Sequence, residues 1–185
     1  MDTAFSILAG LGLAAACGFR VFVPLLVASL AVHAGWLEPS PEFAWLGSTA
    51  AVVAFAVATA LEVAAYYVPW LDHALDTLAS PAAVVAGTVV MASMAVEVDP
   101  FVRWTLAIIA GGGVAATVQT GTVAARGASF SFSGGLTNPA VSTMELGGAV
   151  VTSALAVLSP WLAILGLAAL GLLIVTTLVR RRRNA

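Results

Sequence analysis

The sequence predicts an all-α, polytopic membrane protein of about six transmembrane helices. Three observations carry that expectation. Hydrophobic residues make up 61% of the 185-residue chain, charged residues only 9%, and the mean hydropathy is +1.06. A soluble domain carries about 25% charged residues, so polar side chains are too few to clothe a water-soluble globule. The apolar residues also fall into runs of roughly membrane length, divided by prolines. The same numbers exclude disorder, and a net charge of −2 without a single lysine excludes nucleic-acid binding. The lone Cys17 cannot make an internal disulfide. With only two histidines beside it no His/Cys zinc site is available, so neither a metal nor a cofactor is expected.

The elements follow from the punctuation. A first stretch, about 4–34, is more than long enough to cross once and carries Gly18, Arg20 and Pro24 in its interior. Pro-Ser-Pro-Glu at 39–42 separates it from a second span at 47–68, which Pro69 ends. Ser80-Pro81, Asp99-Pro100, Asn138-Pro139 and Ser159-Pro160 then precede spans at 81–97, 104–126, 139–158 and 161–179. Trp36, Trp45, Tyr66, Tyr67, Trp70, Trp104 and Trp161 fall at span ends, where amphipathic rings favour the membrane interface. The third span is short and the sixth follows the fifth almost without a loop, so five spans plus a re-entrant segment is the alternative count.

Arg180 to Arg183 place the C-terminal tail, 180–185, in the cytoplasm, and an even span number brings the N-terminus there too. The expected location is the cell (inner) membrane, with Arg126 inside and Arg103, Glu38, Glu42, Glu97 and Asp99 outside. Ala14-Ala15-Ala16-Cys17 resembles a lipoprotein cleavage site, but no basic residue precedes it, and the first span is retained. The whole chain reads as one transmembrane domain. Leu8–Ala15 aligns with Ile109–Ala116, which allows two inverted three-helix halves, 1–99 and 100–179. A competing alignment pairs Leu78–Ala82 with Leu136–Ala140, and plain close packing through small residues explains either.

Charges at membrane depth are costly and therefore point to function. Glu62 lies six residues before Val68, Glu145 six after Pro139 and Gln119 seven before Arg126. At a rise of about 1.5 Å per residue, all three sit about 9–11 Å from a cytoplasmic helix end, on three different helices. Asp72 and Asp76, four residues apart, share a helical face on the same side. Together they predict an acidic inner vestibule, although a solvated interfacial turn also explains the two aspartates. Asn138-Pro139 and Ser142-x-x-Glu145 both fit helix starts, so Glu145 reads alternatively as a structural cap. Arg20 sits four residues before Pro24, whose missing N–H predicts a kink beside a free carbonyl. Along a continuous span Arg20 falls in the outer half, where snorkelling to the headgroups is the alternative. The Gly/Ser/Phe-rich stretch 127–137 reads as a mobile loop or a short re-entrant element leading into Asn138.

Three stretches together resemble a known family. Ala16–Leu26 (ACGFRVFVPLL), Pro69–Thr77 (PWLDHALDT) with Pro81 following, and Gly134–Glu145 (GGLTNPAVSTME) are similar to an uncharacterised family of small bacterial integral membrane proteins, a domain of unknown function. Thr137 stands where that family is associated with glycine. The resemblance implies one membrane domain over about residues 8–162 and no particular activity. From the residues, the best expectation is a transporter or channel for a small solute or cation, proton-linked, with Glu62, Glu145, Gln119, Asp72, Asp76, Arg20 and Asn138 along its pathway. The alternative is a membrane scaffold or subunit whose polar residues only lock helices together. No enzyme motif is present, and the expected partners are the lipid bilayer, an unknown small solute or ion, and a second copy of the chain.

Overall fold

The computed structural model describes residues 2–67, 69–134 and 136–183, with side chains for all of these except 69–76, 170, 173–175 and 177–183. The described residues are helical almost throughout, with no strand among them. In order they form α1 (Thr3–Cys17), α2 (Phe22–His33), a 3-10 turn (Pro41–Gly47), α3 (Thr49–Ala65) and α4 (Pro69–Met94). Then follow α5 (Pro100–Leu106), a π-helical segment (Ala107–Gly112), α6 (Gly113–Ser133), α7 (Asn138–Leu158) and α8 (Pro160–Arg183). The helix starts are chemically marked. Asp2 caps α1 through the Ala4 N–H, Ser48 caps α3 through Ala51, and Asp99 accepts from Phe101 and Val102 ahead of α5. Pro100 and Pro139 occupy first turns, where a missing N–H costs nothing.

Two expected boundaries are corrected. Pro81 does not begin a helix but lies inside α4, which already starts at Pro69. The stretch 127–133 is not a loop: it forms the last two turns of α6, continuous with α5 as a 34-residue rod from Pro100 to Ser133. The serines are compatible with helix because Ser131 and Ser133 donate to the carbonyls of Gly127 and Ser129, four residues back. The rod stops at Gly134, whose φ of +61° makes the left-handed cap that a glycine accepts without strain.

Among the described residues three helices are long and apolar enough to cross a membrane, Thr77–Met94, Pro100–Ser133 and Asn138–Leu158. A fourth is added if the 3-10 turn and α3, bent by 64°, count as one span. The first predicted span, 4–34, is not one crossing. It is split into helices of 15 and 12 residues, about 22 and 18 Å long, each shorter than the roughly 30 Å hydrocarbon core. Both begin or end at the same end of the bundle. Thr3 and Ser6 share a small cavity of about 60 Å³ with Glu38, Val96 and Glu97, and the Ser40 N–H donates to the Ser93 carbonyl at the end of α4. The tip, Gly18–Val21, lies at the opposite level, against Ala115, Val118 and Gln119 of α6 and against Glu62 near the end of α3. The pair is therefore a re-entrant hairpin. An apolar run of 31 residues fits one tilted helix or two short ones equally well, and hydropathy alone cannot distinguish them. With the first crossing gone, the even span count no longer supports a cytoplasmic N-terminus.

α1 is the central element. Ala9, Leu13, Ala14, Ala15, Ala16 and Cys17 are fully buried, as expected of a helix apolar on every side. Small residues set the spacing. A Cβ placed on Gly111 would stand 2.7 Å from the Gly87 carbonyl oxygen, so α4 and the π-helical segment meet nearly backbone to backbone. At the Glu38 end, Arg103 donates to Glu42 at 2.7 Å and to the Ala95 and Val98 carbonyls beyond the end of α4. Glu42 is 62% exposed, so Glu42→Ala should barely move the thermal midpoint. Arg103→Ala should lower it more, because the buried Ala95 carbonyl and the part-buried Val98 carbonyl lose their donor.

Candidate functional site: a buried charge network at the hairpin tip

The tip of the hairpin is held by ionisable groups from three further helices. α2 begins at Phe22, so Pro24 lies in its first turn and breaks no helical bond there. The predicted kink is real, but it falls upstream, at Gly18–Val21. Its consequence is two free N–H donors rather than the one free carbonyl expected from Pro24. Glu62 of α3 satisfies both: Val21 N donates to Oε1 at 2.8 Å and Phe22 N to Oε2 at 3.0 Å. A carboxylate from one helix thus caps the amino end of another, where the helix dipole is positive.

Arg20, the residue before this cap, is 2% exposed. It neither snorkels outward nor sits in an outer layer. Its Nη2 donates to the Ser142 carbonyl at 3.0 Å and lies 3.4 Å from Glu145 Oε2. Glu145 is also gripped by Arg126, through Nε at 2.9 Å and Nη2 on the second oxygen. It is no capping-box residue. The guanidiniums of Arg20 and Arg126 both lie over the Tyr66 ring, with Cζ 3.7 and 4.1 Å from its centroid. Tyr66 follows Glu62 by one turn and so shares its face. It is buried, not the interfacial ring its place near a span end suggests.

The carboxylates therefore do not make an acidic vestibule. Among the described residues, Glu62 and Glu145 are balanced by Arg20 and Arg126, and the four formal charges sum to zero. Arg20 is ion-paired with Glu145, whereas Glu62 holds the backbone N–H groups of the two residues that follow Arg20. Gln119 is buried on the same face of α6 as Arg126, but two turns further into the bundle, beside Gly18. Asn138 accepts from Ser129 at 2.9 Å and belongs to a hydroxyl cluster with Ser133 and Thr137 at the α6–α7 turn, away from the charges. The side chains of Asp72 and Asp76 lie outside the described residues.

Arg126, Tyr66 and Ser142 are the site residues that sequence reasoning missed. Arg126 was expected to end a span and anchor topology. The signal for its true role is arithmetic: Arg126 lies seven residues before Ser133 and Glu145 seven after Asn138. Once 127–133 is helical, a short turn brings the two to equal height on antiparallel neighbours, about 10 Å from the bundle end.

A helical bundle with membrane-length apolar spans, a re-entrant hairpin and a paired charge network defines a polytopic membrane protein. The chain belongs to the family described as Domain of unknown function (DUF4126), which matches residues 7–181. That match bears out the family resemblance carried by the three motifs. No curated protein and no solved structure matches the chain.

Proposed function

We propose that this protein is a proton-linked membrane transporter for a small solute, with the α1–α2 hairpin as the element that moves. One observation carries the reading: the broken hairpin tip reaches the charge network and is fastened there by a carboxylate from a different helix. Short helices whose ends meet inside a bundle are how many transporters build a midplane site. Protonation of Glu62 removes the charge that binds the two N–H donors, which loosens α3 from the tip. The groups acting on Glu62 are the Val21 and Phe22 N–H donors, Arg20 from the tip, Arg126 from α6 and Cys17 at the end of α1. Arg126 lies at the network end of the bundle, and Arg103 with Glu38, Glu42, Glu97 and Asp99 at the other. The orientation expected from the Arg180–Arg183 tail puts Arg126 inside, so the network end is taken to face the cytoplasm and Thr3 the outer side.

The second reading is a non-transporting scaffold. The observation in its favour is that Glu145 is ion-paired, Glu62 is hydrogen-bonded through both oxygens, and Gly87 and Gly111 lock α4 against the π-helical segment. Proteoliposomes with an internal pH dye separate the two. Wild-type protein should couple the gradient of at least one small solute to an internal pH change. Glu62→Gln, close in shape to a protonated glutamate, should assemble normally and abolish the coupling. Equal, solute-independent pH traces for wild type, Glu62→Gln and empty liposomes would favour the scaffold.

A further inference from the structure

The hairpin tip has donors left over. Arg20 Nε and Nη1 are buried without a hydrogen-bond partner, as is Ser142 Oγ on the residue whose carbonyl Arg20 holds. An orphaned guanidinium donor in a dry site costs free energy, so its retention calls for an acceptor. Beside these lies the amino end of α2, whose two free N–H groups already hold a carboxylate, that of Glu62. Among the described residues the network contains two arginines and two glutamates. Neutralising Glu62 by a proton removes one negative charge from the tip, and a monovalent anion replaces it.

We propose that the hairpin tip is an oxyanion site: a small carboxylate or equivalent oxyanion displaces the Glu62 carboxylate and is bound by the Val21 and Phe22 N–H groups and the spare donors of Arg20. This deepens the transport reading, since the bound anion is then the cargo, entering together with the proton that releases Glu62. The charges facing that exchange are Arg20 at the tip, Arg126 from α6, Glu145 from α7, and Tyr66 and Cys17 as the other titratable neighbours. The arginine forks suit a planar or trigonal array of oxygens better than a halide. Backbone N–H groups at a helix start favour the same ligand.

The probe is methanesulfonate, which stays anionic at every pH used, titrated calorimetrically into the full-length protein in zwitterionic nanodiscs. Wild type should bind it at least about tenfold more tightly at pH 5 than at pH 8, about the worth of one charged hydrogen bond. Glu62→Gln should bind with the tighter affinity at both values, and Arg20→Lys, which keeps the charge and loses the fork, should bind at least about tenfold more weakly than wild type at pH 5. If Glu62→Gln does not assemble, the wild-type pH comparison decides alone. A short-chain phosphatidate forms a second arm. Binding of phosphatidate in place of methanesulfonate supports the oxyanion site and assigns its ligand to lipid. Binding of neither at pH 5 overturns the site. Anion binding without solute-coupled proton movement keeps the site and removes the transport reading. Coupled movement of neutral or cationic solutes, without anion binding, does the reverse.

Discussion

Glu145→Gln is expected to destabilise the protein by about 3–5 kcal/mol, the usual cost of removing one partner from a buried ion pair. The size follows from what remains. Glu145 is the shared anion of Arg20 and Arg126, and its side chain is 6% exposed. Without it, two guanidiniums over one tyrosine ring face each other's charge, with Glu62 the nearby carboxylate left among the described residues. Thermal unfolding in detergent should show the loss, with Glu145→Asp intermediate because the charge stays but one methylene of reach is gone. In the double variant Arg126→Gln/Glu145→Gln the loss should be smaller than the sum of the single losses, since removing both partners strands less charge. Full additivity would mean that Arg126 and Glu145 do not act as a pair.

Gly18→Ala is the second large effect. A Cβ there would lie 2.5 Å from Val118 Cβ, 2.6 Å from the Ala115 carbonyl oxygen and 2.9 Å from the Gln119 amide nitrogen. Two of those atoms are helix backbone and cannot rotate away, so the hairpin tip must move off α6 as a body. Overpacking of this kind costs about 1–3 kcal/mol, and here it also displaces Arg20 and the Val21 and Phe22 donors from their partners. The expected readout is a lowered thermal midpoint together with faster hydrogen exchange at the start of α2. Gly113→Ala, a position with nothing within 4 Å of the added carbon, is the matched control and should be nearly silent.

Much of the fold was legible residue by residue. Asp99-Pro100, Asn138-Pro139 and Ser159-Pro160 all sit at helix starts, because proline in a first turn is local chemistry, and Asp99 caps its helix as well, whereas Asn138 lies one residue inside its own helix and makes no cap. What was not legible depends on which ends of helices meet. The run 4–34 contains a turn because Gly18 can approach α6 and Glu62 can cap α2, and both facts belong to other segments of the chain. Ser131 and Ser133 read as linker by composition, yet their hydroxyls close onto carbonyls of their own helix. That single misreading hid the Arg126–Glu145 pair. Glu62 and Glu145 stand out because a carboxylate in an apolar helix is costly wherever it points, and Arg20 because it precedes Pro24, whereas Arg126 reads as a topology anchor.

The central claim is that α1 and α2 form a re-entrant hairpin whose two outer ends share one membrane face. Single cysteines at Ala4, Trp36 and Ser131, all exposed positions, can be tested with a membrane-impermeant maleimide in sealed vesicles, with the buried Cys17 replaced by alanine. The hairpin predicts that Ala4→Cys and Trp36→Cys label from the same side and Ser131→Cys from the opposite one. Labelling of Ala4→Cys together with Ser131→Cys, and of Trp36→Cys from the other side, would mean that residues 4–34 cross the membrane once and would contradict the account.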